Sequence, residues 1–121
     1  LIDPTATYSP TARIDAGTVI MPQVRINAEA HIGEHCIINT SAVIEHDCEI
    51  KDFTHIAPGT VLTGMVKVGS QTLVGANCTI VPGVTIGNQC LIGAGSVVTR
   101  NIPDNAIARG RPARIIKIKQ K

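Results

Sequence analysis

The stretch Ile38-Asn39-Thr40-Ser41-Ala42-Val43-Ile44-Glu45-His46-Asp47-Cys48-Glu49-Ile50 carries an isoleucine at every sixth position, with a small residue, Ala42 or Cys48, two places before the next one. Followed outward, the same step lands on Ile14, Ile20, Ile26, Ile32, Ile38, Ile44, Ile50, Ile56, Leu62, Val68, Val74, Ile80, Ile86, Ile92 and Val98. All are branched aliphatics, although Ile, Leu and Val make up only about a quarter of the chain; chance does not produce that periodicity. Ile2 and Tyr8 keep the register toward the N-terminus. Two places before each aliphatic stand Ala12, Thr18, Val24, Ala30, Cys36, Ala42, Cys48, Thr54, Thr60, Val66, Thr72, Cys78, Val84, Cys90 and Ser96, every one small.

A period of six fits neither an α-helix at 3.6 nor a simple strand at two. It fits a parallel β-helix: three short strands make a coil of 18 residues, and each strand turns one aliphatic inward with a small residue beside the corner. Coils stack at the ~4.8 Å spacing of paired strands. Each buried aliphatic contributes roughly 1.5–3 kcal/mol, against a backbone ordering cost of similar size per residue. One hexad cannot stand alone; a stack of about five coils can. Three residues after the inward position come Gly17, His35, Asp47, Gly59, Asn77, Gly83, Gly95 and Asn101, types that tolerate the positive φ of a sharp corner.

Composition agrees. With 121 residues, 44% hydrophobic and 17% charged, the chain is one folded domain in length. Phe53 and Tyr8 are its phenyl-type rings and Trp is absent, so the interior is narrow and aliphatic. A net charge of +2 without an aromatic-and-basic cluster excludes a nucleic-acid partner. No apolar run is long enough to span a membrane and no signal-like segment opens the chain, so a cytoplasmic location is expected. A start at Leu1 reads as a processed or partial chain. The domain expectation is a β-helix over 1–100 and a basic tail over 101–121. Seven of eleven Lys and Arg residues lie from Arg100 to Lys121, against one acid, Asp104. That tail either meets the phosphates of an anionic cofactor or caps the open end of the helix.

Cys36, Cys48, Cys78 and Cys90 all fall in the small column, which makes them packing residues. No CxxC spacing supports zinc or redox chemistry. His31, His35, His46 and His55 are spaced 4, 11 and 9 apart. This is not the His pattern of the hexapeptide-fold carbonic anhydrases, and no metal is expected. His46 stands at a corner two residues after Ile44, pointing outward between Glu45 and Asp47. It reads either as a solvated surface histidine or as a general base whose second ring nitrogen is held by a carboxylate.

The segment from Ile37 to Cys48, followed by His55-Ile56-Ala57-Pro58-Gly59, by Gly64 to Gly69, and by Gly110-Arg111-Pro112-Ala113-Arg114-Ile115-Ile116-Lys117, resembles the sialic acid O-acetyltransferase family. That family includes N-acetyltransferases acting on UDP-linked 4-amino sugars in bacillosamine synthesis. The resemblance implies a left-handed coil, a homotrimer and acetyl-CoA as acyl donor. It also implies His46 as catalytic base, with Asp47 raising its basicity. Asn39, with Glu45, supports the acceptor site, and His55 lies near the thioester. Gly64 is one coil above His46, where its N–H can donate to the thioester oxygen. Ala76 and Ala94, 18 apart, match positions that hold the pantetheine arm.

In this family a nucleotide-binding domain usually precedes the β-helix, and none is read in these residues, which leaves the acceptor open. Arg111 stands before Pro112 where Asn is more frequent. The expected function is acetyl transfer from acetyl-CoA to the amino group of a nucleotide-linked amino sugar. The alternatives are O-acetylation of sialic acid or another sugar hydroxyl, and a non-catalytic trimeric scaffold.

Overall fold

The computed structural model describes residues 1–120 and contains no helix among them. Sixteen two-residue strands follow one another every six residues, from β1 (Thr7–Tyr8) to β16 (Val97–Val98). They build the three parallel faces of a triangular prism. Partners are 18 residues apart throughout, as in Ile37↔His55, Val43↔Val61 and Glu49↔Lys67. The Val61 face is six coils high, slightly taller than the sequence count.

The inward column is buried as its spacing requires. Ile20 through Val98 are almost wholly inaccessible, and the small column from Thr18 to Ser96 is buried beside it. Ile2 and Tyr8 hold the register but remain exposed, because no coil lies beneath them. The four cysteines are buried and unpaired.

The small column does more than fill space. From Thr18 to Cys78 its hydroxyls and thiols donate to the carbonyl fifteen residues ahead, on the next coil, while Cys90 reaches Pro103 O and Ser96 turns back to Gly93 O. Thr18 reaches Gly33 O at 2.6 Å, Cys36 Lys51 O at 3.0 Å and Thr54 Gly69 O at 2.6 Å. Otherwise these buried hydroxyls would be left unsatisfied.

Every corner from Gly17 to Gly95 takes a positive φ, between 54° and 78°, including those formed by Phe53 and Met65. The left-handed conformation costs roughly 1–2 kcal/mol for a non-glycine residue. From His35 to Gly95, the N–H of each positive-φ residue offsets it by donating to a carbonyl one coil away, as Asp47 N does to Ala28 O at 3.0 Å and Met65 N to His46 O at 3.0 Å; Gln23 N and Glu29 N donate instead to the hydroxyls of Thr5 and Thr11. Asn101 is the exception to the expectation. The hexad register has ended at Val98, and the next positive φ falls on Asn105.

Beyond the last hexad, β17 (Ala106–Gly110) adds in parallel to the His55 face, and β18 (Ala113–Ile118) folds back antiparallel on it. Ile102, Ala106 and Ala108 are buried there and continue the apolar column.

The outward residues differ by face. The His55 face presents Val19, Ile37, His55, Leu73 and Leu91 in one column, with the three largest aliphatics exposed. The Val61 face presents Arg25, Val43, Val61, Thr79 and Val97. The Lys67 face is charged: Arg13 pairs with Asp15 at 3.0 Å, and Lys51 and Lys67 flank Glu49 at 3.8 and 3.7 Å.

Candidate active site

The corner between the Val61 and Lys67 faces carries His46. Its ring leaves the prism, 59% exposed, as a corner position demands, and Nδ1 lies 3.0 Å from Asp47 Oδ2. A carboxylate only accepts, so Nδ1 carries a proton and donates, and in the neutral ring Nε2 then holds the lone pair. One coil above, Gly64 makes room for the ring: a Cβ there would stand 2.5 Å from Nε2 and 2.8 Å from Cε1. The Gly64 N–H has no hydrogen-bond partner among the described residues. Glu45, on the adjoining face, accepts from Asn27 Nδ2 at 2.7 Å and is half-buried.

The structure does not bring His55 and Asn39 to this corner. They sit together on the His55 face, across the width of the Val61 face from His46. Thr40 N donates to Asn39 Oδ1 at 2.8 Å, which turns Nδ2 toward His55 Nε2 at 3.1 Å. His55 therefore accepts at Nε2 and carries its proton on Nδ1. Partial burial lowers its pKa, in keeping with a neutral ring. Higher on the same side, Ala76 and Ala94 occupy one corner column, and neither N–H has a partner among the described residues. Above them Arg111 Nε donates to Gly95 O at 2.8 Å.

Two contacts escaped the sequence reading. His31 Nε2 lies 2.9 Å from Asp15 Oδ2, a second carboxylate–imidazole pair, on the charged face. The hydrogen bond from His31 is the largest influence holding the Asp15 carboxyl below its usual range. The His35 ring stacks on Phe53 with centroids 5.4 Å apart. Both join residues 16 or 18 apart, so only the 18-residue coil arithmetic would have found them. No group of three His, Cys, Asp or Glu side chains suited to a metal ion occurs among the described residues.

A hexad-built prism bearing a corner imidazole on a carboxylate, beside an unspent peptide N–H, has the parts of an acyl-transfer site. The chain belongs to the bacterial transferase hexapeptide family, whose six-repeat model matches residues 29–64 and 65–100. It is similar to GDP-perosamine N-acetyltransferase of Escherichia coli O157:H7, at 33% identity over 110 residues, covering 86% of this chain and 49% of that protein. Among solved structures it is similar to a variant of perosamine N-acetyltransferase from Caulobacter crescentus in complex with CoA and GDP-perosamine. The TM-score is 0.94 and the identity 42%, over 96% of this chain and 55% of that one. The acetyltransferase domain of PglB from Neisseria gonorrhoeae FA1090 also superposes at a TM-score of 0.94, with 35% identity over 96% of this chain and 57% of that one. The chain spans about half the length of these proteins, and 55% or less of the curated relatives it matches.

Proposed function

We propose that this chain transfers acetyl from acetyl-CoA to the amino group of a nucleotide-linked amino sugar, with His46 as general base. The observation that carries the reading is the His46–Asp47 pair at 3.0 Å with Nε2 facing Gly64. As the acceptor nitrogen attacks the thioester carbon, its N–C bond forms and its proton passes to Nε2. The Gly64 N–H takes the developing oxyanion. The C–S bond then breaks and the departing thiolate recovers the proton from the imidazolium, giving CoA thiol. Asp47 keeps the imidazole in the tautomer that can accept and stabilises its charged form. The likeness to perosamine N-acetyltransferases supports an amine acceptor.

The donor follows a line up the prism. Its thioester lies at His55, and its pantetheine arm runs past the unspent N–H groups of Ala76 and Ala94. Three coils at ~4.8 Å each bring an extended arm to the level of Arg109 and Arg111. In this reading residues 101–121 cap the helix and also meet the cofactor phosphates. Acetyl-CoA as donor places the reaction in the cytoplasm; no helix of the described residues is long and apolar enough to cross a membrane.

The acting unit is a homotrimer. His46 and His55 stand on opposite sides of the Val61 face, so one prism holds two half-sites. Docking the apolar His55 face of one copy on the Val61 face of the next brings His46 of one to His55 and Asn39 of the other. The contact is heterologous and closes as a ring of three, with the charged Lys67 face turned to solvent. Asn39 and Glu45 then serve the acceptor.

The test is thiol release from acetyl-CoA in the presence of 4-amino sugar nucleotides, with light scattering for mass. Release dependent on both substrates, by a trimer, is expected. A monomer, or no release with any sugar acceptor, refutes the reading.

A further inference from the structure

The buried thiol of Cys48 lies directly beneath the catalytic corner. Its Sγ is 3.1 Å from Thr63 O, and the residue is wholly inaccessible. The peptide bond is planar and trans, so the carbonyl of Thr63 and the N–H of Gly64 point in opposite directions. A carbonyl drawn inward by the thiol turns that N–H outward, toward the His46 ring. We propose that Cys48 is a positioning residue of the acetyl transfer, holding the Thr63–Gly64 peptide so that its N–H faces the thioester oxygen. The inference rests on the function proposed above.

Three features support it. Burial pushes the Cys48 thiol up to about 11, so it stays protonated and can donate. The same relation recurs beneath the donor path: Thr60 Oγ1 donates to Gly75 O at 2.7 Å and Cys78 Sγ to Gly93 O at 3.2 Å, which turns out the N–H groups of Ala76 and Ala94. On the column of Ser70 and Asn88, matching N–H groups are already spent. Thr54 and Thr72 hold Gly69 O and Gly87 O, but Ser70 N donates to Asn88 Oδ1 and Asn88 N to Asp104 Oδ1, each at 2.8 Å. The interior donors are thus general, and the N–H groups of Gly64, Ala76 and Ala94 that they turn outward are left without a partner among the described residues.

Cys48→Ala tests this, because Ala30 and Ala42 already fill the same column position fully buried. Cys36→Ala is the control: its thiol holds Lys51 O at 3.0 Å on another corner, and the substitution loses the same bond and the same volume. In the full-length protein, Cys48→Ala should lower kcat about tenfold with KM for acetyl-CoA unchanged, a fraction of the ~10²–10³-fold cost of deleting an oxyanion donor. Cys48→Thr should restore kcat, since Thr54 and Thr60 already make this bond. Cys36→Ala should leave both constants alone. The Gly64 amide resonance should move in Cys48→Ala and stay in Cys36→Ala. Normal kcat in Cys48→Ala, or equal losses in the two variants, overturns the proposal. A wild-type chain that transfers no acetyl sinks the functional reading and the catalytic half of this one. A Gly64 amide unmoved by Cys48→Ala sinks the positioning half while acetyl transfer stands.

Discussion

The imidazole of His46 occupies the space that a side chain at Gly64 would need: Nε2 is 2.5 Å from the position of a Cβ there. Gly64 does not take a positive φ, so alanine meets no backbone strain at that position. Gly64→Ala should therefore fold normally and push the ring off its place. Misplacing a reacting group by about 1 Å can cost ~10²-fold, and a kcat loss of about that size is expected with an unchanged circular dichroism spectrum. Wild-type turnover in this variant would show that the ring does not work from where it stands.

His46→Ala removes the base itself. Loss of a positioned general base costs roughly 10²–10⁴-fold, and the ring is 59% exposed, so thermal stability should hardly change. Asp47→Asn should cost less, since only ring orientation and imidazolium stabilisation suffer. Asparagine also tolerates the φ of +60° at that corner. Steady-state kinetics on the two variants ranks them, and equal rates for His46→Ala and wild type would remove His46 from the mechanism.

Much of this was legible before any coordinates, because a six-residue period leaves one way to bury the aliphatics. Ile14 to Val98, the small column and the adjacency of His46 and Asp47 all follow from position alone. Column arithmetic also places Gly64 over His46. Phe53 and Met65 at positive φ do not follow, because residue type argues against them. The inter-coil bond from each corner N–H outweighs propensity there, as Phe53 N to Glu34 O at 3.0 Å shows. Nor could spacing reveal which corner N–H groups stay unspent. That depends on side chains such as Asp52, which accepts from Glu34 N at 2.8 Å, while nothing does so for Gly64. The separation of His46 from His55 by a whole face needed the coil geometry as well.

Burial lowers the pKa of His55, and its Nε2 accepts from Asn39, a bond only the neutral ring can make. The unfolded chain, with His near ~6.5, then binds more protons than the folded one as pH falls. The stability from this group is present above the unfolded value and is lost as pH falls through the folded one. An NMR titration should place the His55 midpoint below the ordinary value, with the melting temperature declining over the same window. A midpoint at or above ~6.5 would contradict the burial and the Asn39 bond together.

Leu73 stands in the outward column of the apolar face, next to His55, and is 38% exposed. Leu73→Glu places a charge where a neighbouring prism is to pack. The single prism should survive, because the side chain lies outside the core, but the trimer should dissociate and turnover should fall with it. Light scattering beside circular dichroism separates the outcomes. A Leu73→Glu trimer with full activity would move the interface to another face.

The acceptor should be an amine on a nucleotide-linked sugar rather than the hydroxyl of free sialic acid. The likeness to perosamine N-acetyltransferases motivates this expectation, and proton chemistry points the same way. An amine arriving as ammonium must lose one proton to become a nucleophile and a second during attack, and a neutral imidazole can accept the second. A sugar hydroxyl is a much weaker acid and needs a more strongly activated base than His46, whose ring is 59% exposed beside a half-exposed Asp47. Parallel assays offer acetyl-CoA with a UDP- or GDP-linked 4-amino sugar and with sialic acid, and follow thiol release. Faster release with the amino sugar is expected at every pH from 6 to 8. Faster release with sialic acid would place the chain in the O-acetylating branch and assign the proton transfer to a more activated base.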